Sequence, residues 1–495
     1  MVRWINSIFE RLINFSYLYI RLFYDLFFLV FSFLIFFNIN NFFIIDINTN
    51  YTNYIIFISF VIGLILYNII FSYFNVNFFV KITFIFLMNV ITCSIFITQD
   101  NHQSLIKFCL IYSILLILPR FFTHENISGS NKIMRKIANH KGPILIVGGA
   151  GYIGSHLVEI LLNNNKKVRV LDNFMYGDSS LKKFLKNKNL EIIKGECTNY
   201  STLIPAMDSC STVIHLAGLV GDPACTVDDN LTKYTNILST KLAFLAANSI
   251  GVERFIFASS CSVYGVSDKK VNEKSKLNPV SLYAETKIDS EKELLKLGKS
   301  SSTSVTILRF ATVFGHSLRP RFDLVGNIFA LNVASGKDIN VFGPQQWRPF
   351  IHVYDIARAI QIVINAKKNI VKNEIFNVGD DNLNMTLGEL ANRTYDAAVK
   401  RFPKKNIKSK INLIDGDKAD MRNYMVSFKK IKDQLNFTMT KTIELGASEI
   451  IINFDNKIYG NPKSSKFSNL LTTKKYLEVY NKKKIKFESI PIYYV

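Results

Sequence analysis

A tyrosine and a lysine four residues apart carry the clearest chemical signal in this chain. Tyr283 and Lys287 open a segment with helical periodicity, so their side chains share one helical face. A phenol with a pKa of about 10 is a poor base at neutral pH, but a neighbouring ammonium stabilises the phenolate. Ser260 ends an apolar run upstream, and its hydroxyl can hydrogen-bond the hydroxyl group of a ligand from which Tyr283 would take a proton. The three residues predict a site that removes a proton from an alcohol as hydride leaves its carbon.

A glycine-rich turn precedes this group in the chain. The apolar run Ile144–Val147 leads into Gly148 and Gly151, and a segment with helical periodicity starts near Gly154. Such glycines permit a tight turn, close approach of a pyrophosphate to the backbone, and close packing of helix on strand. The next predicted strand ends at Asp172, where an acid accepts hydrogen bonds from a ribose 2′-hydroxyl and repels a 2′-phosphate. We therefore expect NAD, rather than NADP, as the cofactor.

Strand and helix patterns alternate from the glycine turn onward. The predicted strands are Ile144–Gly148, Val168–Asp172, Leu190–Lys194, Thr212–Gly218, Phe255–Ser260 and Val305–Phe310, and two of the predicted helices between them are Leu231–Asn248 and Leu282–Leu297. This alternation predicts an α/β fold with a doubly wound parallel sheet. Further pieces follow at Asn327–Ala334, Ile339–Phe342, Glu374–Val378 and Leu387–Lys400. They predict a smaller C-terminal lobe that closes over the cleft.

The first 125 residues differ from the rest of the chain. They contain four apolar windows, at about residues 22–37, 54–74, 78–97 and 106–122, each near the length that crosses a bilayer. Lys and Arg, for example Arg21, Lys81 and Arg120, flank the windows consistently on one side. We therefore predict an all-α transmembrane region of about four helices in a multi-pass membrane protein whose catalytic domain faces the cytoplasm.

Charge is distributed unevenly along the chain. The formal net charge is +22, and the residues before Asn126 hold six Lys or Arg and five Asp or Glu, which leaves +21 for residues 126–495. This charge suits phosphate-bearing ligands or lipid headgroups, and a general bias towards Lys and Asn explains it equally well. The six cysteines show no metal-ligand spacing, so no metal is expected. No helix-turn-helix or zinc-finger spacing is present, so we expect no nucleic-acid partner.

These patterns divide the chain into five segments. They are a transmembrane region (1–125), a basic linker (126–142), an NAD-binding domain (143–315), a substrate-binding lobe that is mixed with that domain (316–455), and a C-terminal tail (456–495). The tail is rich in Lys, Asn and Ser, and its sequence indicates no function.

Five motifs together carry a family resemblance. They are GGAGYIG (148–154), HLAG (215–218), SSCSVYG (259–265), YAETK (283–287) and RPFIHV (348–353). In this order they resemble the extended short-chain dehydrogenase/reductases, and specifically the nucleotide-sugar epimerase/dehydratase group, over roughly residues 144–437. The resemblance implies a Rossmann doubly wound parallel sheet that binds NAD, a lobe that binds a nucleoside-diphosphate sugar, and a homodimer. Residues 1–125 resemble the amino-terminal part of membrane-bound polysaccharide-biosynthesis proteins.

The resemblance also implies roles for individual residues. The catalytic triad is Ser260, Tyr283 and Lys287, and Asn236 falls where a structural or proton-relay asparagine is expected. Besides Tyr283 and Lys287, the implied cofactor contacts are Gly148, Gly151, Tyr152, Ile153, Gly154, Asp172, Asn173, Glu196, Cys197, Leu216, Ala217 and Gly218. Glu196 stands where this family often has an aspartate that contacts adenine.

Three residues are expected to bind the sugar nucleotide. They are Asn327, near the start of a predicted helix, Arg348, before a predicted strand, and Arg422, before Asn423 and Tyr424. Guanidinium groups suit a diphosphate because they donate two parallel hydrogen bonds. Arg319 and Arg321 are equally consistent with solvated surface charges.

The residues after Ser260 bear on the type of reaction. The 4,6-dehydratases of the resembled group carry Asp-Glu after the triad Ser or Thr, whereas this chain has Cys261 and Ser262. Neither is a carboxylic acid, so the pattern favours oxidation at C4 with return of the hydride, an epimerisation, over dehydration. Cys261 is interpreted as a buried space-filler. A dehydratase, a reductase and a non-catalytic NAD(P)-binding structural protein are the alternatives to a membrane-anchored epimerase in surface polysaccharide or glycoconjugate biosynthesis.

Overall fold

The computed structural model describes residues 142–403, 407–415 and 420–482. Twelve strands lie in these ranges: β1 (Ile144–Val147), β2 (Val168–Asp172), β3 (Leu190–Lys194), β4 (Thr212–His215), β5 (Arg254–Ser260), β6 (Ser304–Phe310), β7 (Thr312–Phe314), β8 (Ile339–Phe342), β9 (Trp347–His352), β10 (Glu374–Val378), β11 (Asn384–Thr386) and β12 (Ile411–Ile414). Both β1 and β6 are buried along their whole length, as expected for strands covered on both faces.

Seven of these strands form one sheet. Their order is β10-β6-β5-β4-β1-β2-β3, and every neighbouring pair is parallel. The chain runs outward from β1 to β3 on one side and then crosses to β4 on the other. The strand order therefore reverses between β1 and β4, where open α/β sheets bind ligands beyond the carboxyl ends of their strands. The sheet confirms the predicted α/β architecture.

Thirteen α-helices lie in the described ranges. They are α1 (Tyr152–Asn163), α2 (Tyr200–Met207), α3 (Asp222–Cys225), α4 (Asp229–Lys233), α5 (Ser239–Ser249), α6 (Leu282–Lys299), α7 (Val325–Ala334), α8 (Val353–Asn365), α9 (Lys368–Val371), α10 (Leu387–Arg401), α11 (Lys429–Leu435), α12 (Ile443–Asp455) and α13 (Asn469–Lys482). A π-helical segment, Tyr234–Leu238, joins α4 to α5, so the predicted helix Leu231–Asn248 is not uniformly α-helical.

Helices cover both faces of the large sheet. On one face α1 packs against α8, and apolar residues such as Leu157 and Ile360 join the core beneath them. On the other face α2, α5 and α6 contribute Leu203, Phe244 and Leu294 to a second core. Two buried faces explain why the central strand β1 is apolar throughout rather than alternating.

The C-terminal lobe has its own smaller sheets and core. Strand β9 pairs in parallel with β7 and antiparallel with β11, while β8 pairs in parallel with β12. Helices α7, α10 and α12 pack together, and Phe350, Leu390 and Ile451 lie in the core between these elements. The antiparallel pairing places Arg348, near the start of β9, opposite Met385 of β11.

The two terminal segments of the chain differ in how much of each the structure describes. The four apolar windows predicted to span a membrane, and nearly all of the linker, lie outside the described residues. Within the described ranges, no helix combines the length and the apolar character that crossing a bilayer requires. The segment after residue 455, interpreted from sequence as a tail, contains α13, which packs on α3. This helix is not predicted from the sequence because its polar composition gives only weak periodicity.

Candidate active site

The turn between β1 and α1 is shaped by glycines that leave no room for a side chain. Gly148 has a φ of +86°, and a Cβ atom placed on it would lie 2.8 Å from the backbone nitrogen of Ala217. A Cβ on Gly154 would lie 2.5 Å from the carbonyl oxygen of Gly148. Both contacts are with backbone, which cannot move aside. The first turn of α1 is thereby held at the carboxyl ends of β1 and β4 with its N–H groups free, as dinucleotide binding requires.

Asp172 closes the same loop from β2. Its carboxylate accepts hydrogen bonds from the N–H groups of Ala150, at 2.9 Å, and Phe174, at 2.8 Å. Burial raises the pKa of Asp172, and these two hydrogen bonds act to lower it. Asn173 donates a hydrogen bond of 3.2 Å to Glu196, so these two predicted contacts lie beside each other. The loop, the acid at the end of β2 and the Asn173–Glu196 pair fit an adenosine ribose and adenine.

The remaining predicted cofactor residues lie around this crevice with different exposure. Leu216 continues β4 by donating its N–H to the carbonyl of Val147, at 2.9 Å, which places Ala217 and Gly218 beside the glycine turn. Burial raises the pKa of the Cys197 thiol to about 12, so it is a neutral wall rather than a nucleophile. Gly151 is the N-cap of α1, and Ile153 packs against the core below it.

The predicted triad is brought together at the carboxyl end of β5. Ser260 ends that strand, and its Oγ accepts the N–H of Ser262 at 3.1 Å, which caps a short 3₁₀ turn. Tyr283 lies in the first turn of α6, with its phenol near enough to Ser260 for the serine side chain to lower the phenol's pKa. Lys287 Nζ donates to the carbonyl of Ala258 at 2.7 Å and lies 5.8 Å from the centroid of the Tyr283 ring. The three side chains therefore converge as predicted.

The electrostatics of the triad differ from the simple expectation. Burial raises the pKa of the Tyr283 phenol, the thiol of Cys225 and the carboxylate of Asp222 add to this, and the hydrogen bond with Ser260 opposes it only in part. Burial lowers the pKa of Lys287 to about 8. The protein alone thus keeps Tyr283 protonated at neutral pH. The positive charge of Lys287 is not sufficient by itself to offset burial, and the charge of an oxidised nicotinamide would add to it.

Asn236 holds the triad helix to the cofactor crevice. Its Oδ1 accepts the N–H of Leu219 at 2.7 Å, and its Nδ2 donates to the Leu219 carbonyl at 3.0 Å and to Thr286 Oγ1 at 3.1 Å. Thr286 lies between Tyr283 and Lys287 on α6. Asn236 sits within the π-helical segment, a type of irregularity often found at functional sites. All of its amide contacts are structural, which favours the structural interpretation over a proton relay.

The two residues after Ser260 are buried. Cys261 donates a hydrogen bond from Sγ to the Arg309 carbonyl, at 3.3 Å, and burial raises the pKa of its thiol. The hydroxyl of Ser262 is buried and has no hydrogen-bond partner among the described residues. Cys261 is therefore a neutral space-filler.

Arg348 and Arg422 meet at one carboxylate. Arg348 Nη2 lies 3.4 Å from Asp420, and Arg422 Nε donates to both oxygens of Asp420 at 2.9 Å. Arg422 also forms an ion pair with Asp222 at 3.2 Å, and Asp222 accepts the hydroxyl of Ser281 at 2.6 Å. Burial opposes ionisation of Asp420, but the bonds from Arg422 outweigh it and lower its pKa to about 2. Arg422 thus connects the lobe to Ser281, the N-cap residue of α6.

Asn327 does not take the substrate-binding role expected for it. It is 1% exposed, and its Oδ1 accepts the N–H of Gly315 at 2.8 Å. Its Nδ2 donates to the Arg321 carbonyl at 2.8 Å and to the hydroxyl of Tyr152 at 3.1 Å. The Tyr152 hydroxyl in turn donates to the Gly315 carbonyl at 2.6 Å. Because every polar atom of this amide is engaged, Asn327 braces the loop after β7, and the Tyr152 side chain shares that role.

Sequence reasoning missed several residues that organise the site. Asp222, Asp420 and Ser281 orient the arginines and α6, and Arg319 and Arg321 are buried rather than solvated. Some signals were available. Ser281 stands directly before a helical pattern, as N-caps do, and Asp420 is an acid two residues before Arg422. No sequence pattern pairs Asp222 with Arg422 across 200 residues. Within the described residues, no group of three or more His, Cys, Asp or Glu could hold a metal ion.

Comparisons with known proteins agree with this geometry. Residues 144–379 match the NAD dependent epimerase/dehydratase family. A Bacillus subtilis (strain 168) protein named as an uncharacterized UDP-glucose epimerase, YtcB, is 31% identical over 246 residues, which are 48% of this chain and 76% of that protein. A UDP-glucuronate 4-epimerase of Thermodesulfobacterium geofontis (strain OPF15) is 28% identical over 326 residues, 63% of this chain and 95% of the relative.

A solved structure extends the agreement to three dimensions. MoeE5 in complex with UDP-glucuronic acid and NAD is 25% identical, covers 64% of this chain and 100% of its own, and superposes with a TM-score of 0.55. In that structure MoeE5 binds NAD and UDP-glucuronic acid. The chain therefore belongs to the NAD dependent epimerase/dehydratase family and is an NAD-dependent enzyme of the kind that acts on nucleotide sugars.

Proposed function

We propose that this protein is a membrane-anchored 4-epimerase of a nucleoside-diphosphate sugar. The observation that carries the proposal is the composition of the β5 terminus. Tyr283 and Lys287 stand beside Ser260, and the following Cys261 and Ser262 replace the carboxylic acid pair that dehydration requires. Bound NAD supplies an acceptor and later a donor of hydride at the sugar's C4.

The residues of the chain handle the proton. Tyr283 Oη removes the proton of the C4 hydroxyl and later returns it, while the Ser260 hydroxyl hydrogen-bonds the same sugar oxygen. Lys287, held by the Ala258 carbonyl, places its ammonium beside the phenol and favours the phenolate. Because burial lowers the pKa of Lys287 to about 8, its charge is present at neutral pH and is lost in mildly alkaline solution.

Dehydration would require more than this proton transfer. Eliminating water needs an acid for the leaving hydroxyl and a base for the neighbouring C–H. Burial raises the pKa of the Cys261 thiol, which donates a hydrogen bond to a backbone carbonyl. The Ser262 hydroxyl has no hydrogen-bond partner among the described residues. The site therefore favours return of the hydride after oxidation.

The substrate side supports a diphosphate. Arg348 and Arg422 come from different segments and share Asp420. Arg422 also pairs with Asp222, which accepts the hydroxyl of Ser281 at the N-terminus of α6. Such forks match the geometry of phosphate oxygens. The relatives are named for UDP-glucose and UDP-glucuronate, and these sugars are therefore the first to test here.

Anchoring, orientation and dimerisation are part of the proposal on sequence grounds. The apolar windows in residues 1–125 and the flanking Arg and Lys support a multi-pass anchor with a cytoplasmic catalytic domain, near the enzymes that build surface polysaccharide. The family resemblance supports a homodimer. We expect the full chain to stay in the membrane pellet at alkaline pH and a chain without residues 1–125 to be released. Retention of the shortened chain would contradict the anchor.

Product analysis tests the reaction. The detergent-purified full chain is incubated with UDP-, GDP- and dTDP-sugars, and the products are separated and weighed by mass spectrometry, with Tyr283→Phe as the control. A product of unchanged mass and altered retention, absent with the variant, supports epimerisation. A product lighter by one water would make the enzyme a dehydratase and refute the argument from Cys261 and Ser262. Net oxidation or reduction of added cofactor would instead indicate a reductase.

A further inference from the structure

A cluster of buried polar atoms without partners lies under helix α13. Within the described residues, Nε and Nη2 of Arg319, the hydroxyls of Tyr176 and Thr473, and Oδ1 of Asn469 are all buried and have no hydrogen-bond partner. The four residues come from the turn after β2, the loop after β7, and two successive turns of α13. Buried polar atoms are almost always satisfied in folded proteins. Unsatisfied atoms from three segments therefore indicate a place for a ligand.

These side chains lie close to one another. The guanidinium carbon of Arg319 lies 4.0 Å from the centroid of the Tyr176 ring. Burial raises the pKa of the Tyr176 phenol, while the charges of Arg319 and Arg321 act to lower it. The Thr473 hydroxyl also lies near enough to the phenol to lower its pKa, but the two hydroxyls do not meet hydrogen-bond geometry. Asn469 and Thr473 are four residues apart and so share one face of α13. We call the four residues, Tyr176, Arg319, Asn469 and Thr473, the α13 chamber.

The chamber carries an uncompensated positive charge. Arg319 is 5% exposed, and no carboxylate among the described residues pairs with it. The nearby Asp323 is already engaged, since it pairs with Arg321 at 2.9 Å and accepts the N–H of Asn469 at 2.7 Å. Burial lowers the pKa of Arg319 to about 10, so it still carries its charge at neutral pH. A buried charge without a partner is costly, and a bound anion removes that cost.

The chamber adjoins the catalytic tyrosine. Tyr476 and Leu477 of α13 pack on an apolar cluster that contains Tyr283, Leu219 and Cys225, and Met175 joins the same cluster. The start of α13 is tied to the crevice because Asn469 Nδ2 donates to the Val220 carbonyl at 2.8 Å. Helix α13 therefore covers both the base and the chamber, and a ligand group in the chamber would lie beside the reacting part of the site.

We propose that Arg319, Tyr176, Thr473 and Asn469 form a closed subsite, covered by α13, for an anionic group of a bound nucleotide sugar or of the cofactor. Arg319, Tyr176 and Thr473 supply donors for a carboxylate or phosphate, and Asn469 Oδ1 accepts from a neighbouring hydroxyl. This inference rests on the proposed nucleotide-sugar function and adds α13 to the binding site. The anion is either a carboxylate on the sugar or a phosphate of the nucleotide or cofactor.

Binding measurements on the full chain separate these sources. Calorimetric titration with UDP-glucuronate and with UDP-glucose compares two nucleotide sugars that differ at C6, and extraction measures the NAD retained. The variants are Arg319→Gln and Thr473→Val. Thr472→Val is the matched control, because Thr472 is on the same helix but its hydroxyl donates to the Ser465 carbonyl, at 2.7 Å, outside the chamber.

A carboxylate in the chamber predicts that Arg319→Gln weakens UDP-glucuronate binding about 10-fold or more, with UDP-glucose binding and NAD content unchanged. Thr473→Val then weakens UDP-glucuronate binding in the same sense by a smaller factor. A phosphate in the chamber instead predicts equal weakening for both sugars, or loss of NAD.

Unchanged binding of both sugars and of NAD in both variants would overturn the proposal. So would an effect of Thr472→Val equal to that of Thr473→Val, because the helix rather than its chamber hydroxyl would then be responsible. If Arg319→Gln does not fold, Thr473→Val against Thr472→Val decides. These experiments measure binding rather than turnover. The affinities therefore still test the α13 chamber if product analysis shows that the protein is not an epimerase. If the parent binds neither sugar, NAD retention alone decides.

Discussion

The two sides of the active-site crevice are built by different physics. On the cofactor side, Gly148 and Gly154 approach backbone atoms so closely that no side chain fits, and Asp172 bonds to backbone N–H groups. On the substrate side, Arg348 and Arg422 are long charged side chains that depend on Asp420 and Asp222 from other segments. The first side is specified by local sterics within one strand–turn–helix unit. The second exists only after distant parts of the chain have come together.

Removing the phenol oxygen of Tyr283 is expected to have the largest effect on activity, because this atom transfers the proton of the sugar hydroxyl beside the cofactor. Tyr283→Phe should lower kcat by about 10²–10⁴-fold, the usual contribution of a positioned acid or base. Cofactor content should stay near that of the parent, since the ring still fills its apolar cluster. Steady-state kinetics with extracted NAD as the second readout checks this. Activity within a few-fold of the parent would refute the assignment of Tyr283 as the base.

Adding one methyl group to the cofactor side is expected to rank next. The Cβ of Gly154→Ala would lie 2.5 Å from the Gly148 carbonyl oxygen, so the turn must shift, which we expect to cost about 1–3 kcal/mol in unfolding free energy and most of the NAD affinity. Urea denaturation and NAD titration measure the two quantities.

Gly336→Ala is the matched control for this change. Gly336 has a φ of +69° and open space around its Cα, so the substitution strains the backbone by about 1 kcal/mol without touching the crevice. Stability should fall while NAD affinity is retained. Loss of NAD affinity in both variants would mean that general destabilisation, rather than the steric fit of the turn, explains Gly154→Ala.

Shortening a guanidinium to an ammonium tests the substrate side. Arg348→Lys keeps the charge but loses the bidentate fork, so we expect KM for the nucleotide sugar to rise about 10-fold with kcat little changed. Arg401→Lys, at the exposed end of α10, is the control and should behave as the parent. Equal kinetics for Arg348→Lys and the parent would show that Arg348 serves only to hold Asp420.

Acid should loosen the lobe through its carboxylates, with the smallest effect. Burial opposes ionisation of Glu449, but bonds from His352 and Lys441 outweigh it and lower its pKa to about 2. Its ionised form therefore stabilises the fold above pH 4.5, and that contribution is lost as the pH falls from about 4.5 to about 2. Because the side chain is partly exposed, we expect Glu449→Gln to cost at most about 1 kcal/mol at pH 7 and nothing near pH 2. Urea titrations across this range measure the difference, and a difference independent of pH would contradict the prediction.

The sequence predicted the parts that local rules determine. Periodicity or a single motif predicts the first six strands of the large sheet's domain, the glycine turn and the Tyr283–Lys287 spacing. The structure contains all of them. The pairing of Arg422 with Asp222 was out of reach because it depends on contacts across the fold. Asn327 was assigned to the substrate because an asparagine near the start of a helix gives the same sequence pattern in two cases. Its amide can face a ligand or stabilise a loop.

Helix α13 shows the other reason for a missed feature. Its mixture of Lys, Thr and Tyr resembles that of a solvated tail, and its few apolar residues gain meaning only from the surface they cover. Burial of Arg319 was missed for a similar reason, since charge is read as exposure unless a partner or a ligand is known.

Asp222 interacts with both sides of the active-site crevice. Its carboxylate accepts the hydroxyl of Ser281 at the start of α6, pairs with Arg422 of the lobe, and raises the pKa of Tyr283. Whatever draws Arg422 away from Asp222 leaves that negative charge less compensated beside the phenol. The strength of the base and the occupancy of the lobe are therefore thermodynamically coupled, and by reciprocity the ionisation of Tyr283 changes the affinity of the lobe for its ligand.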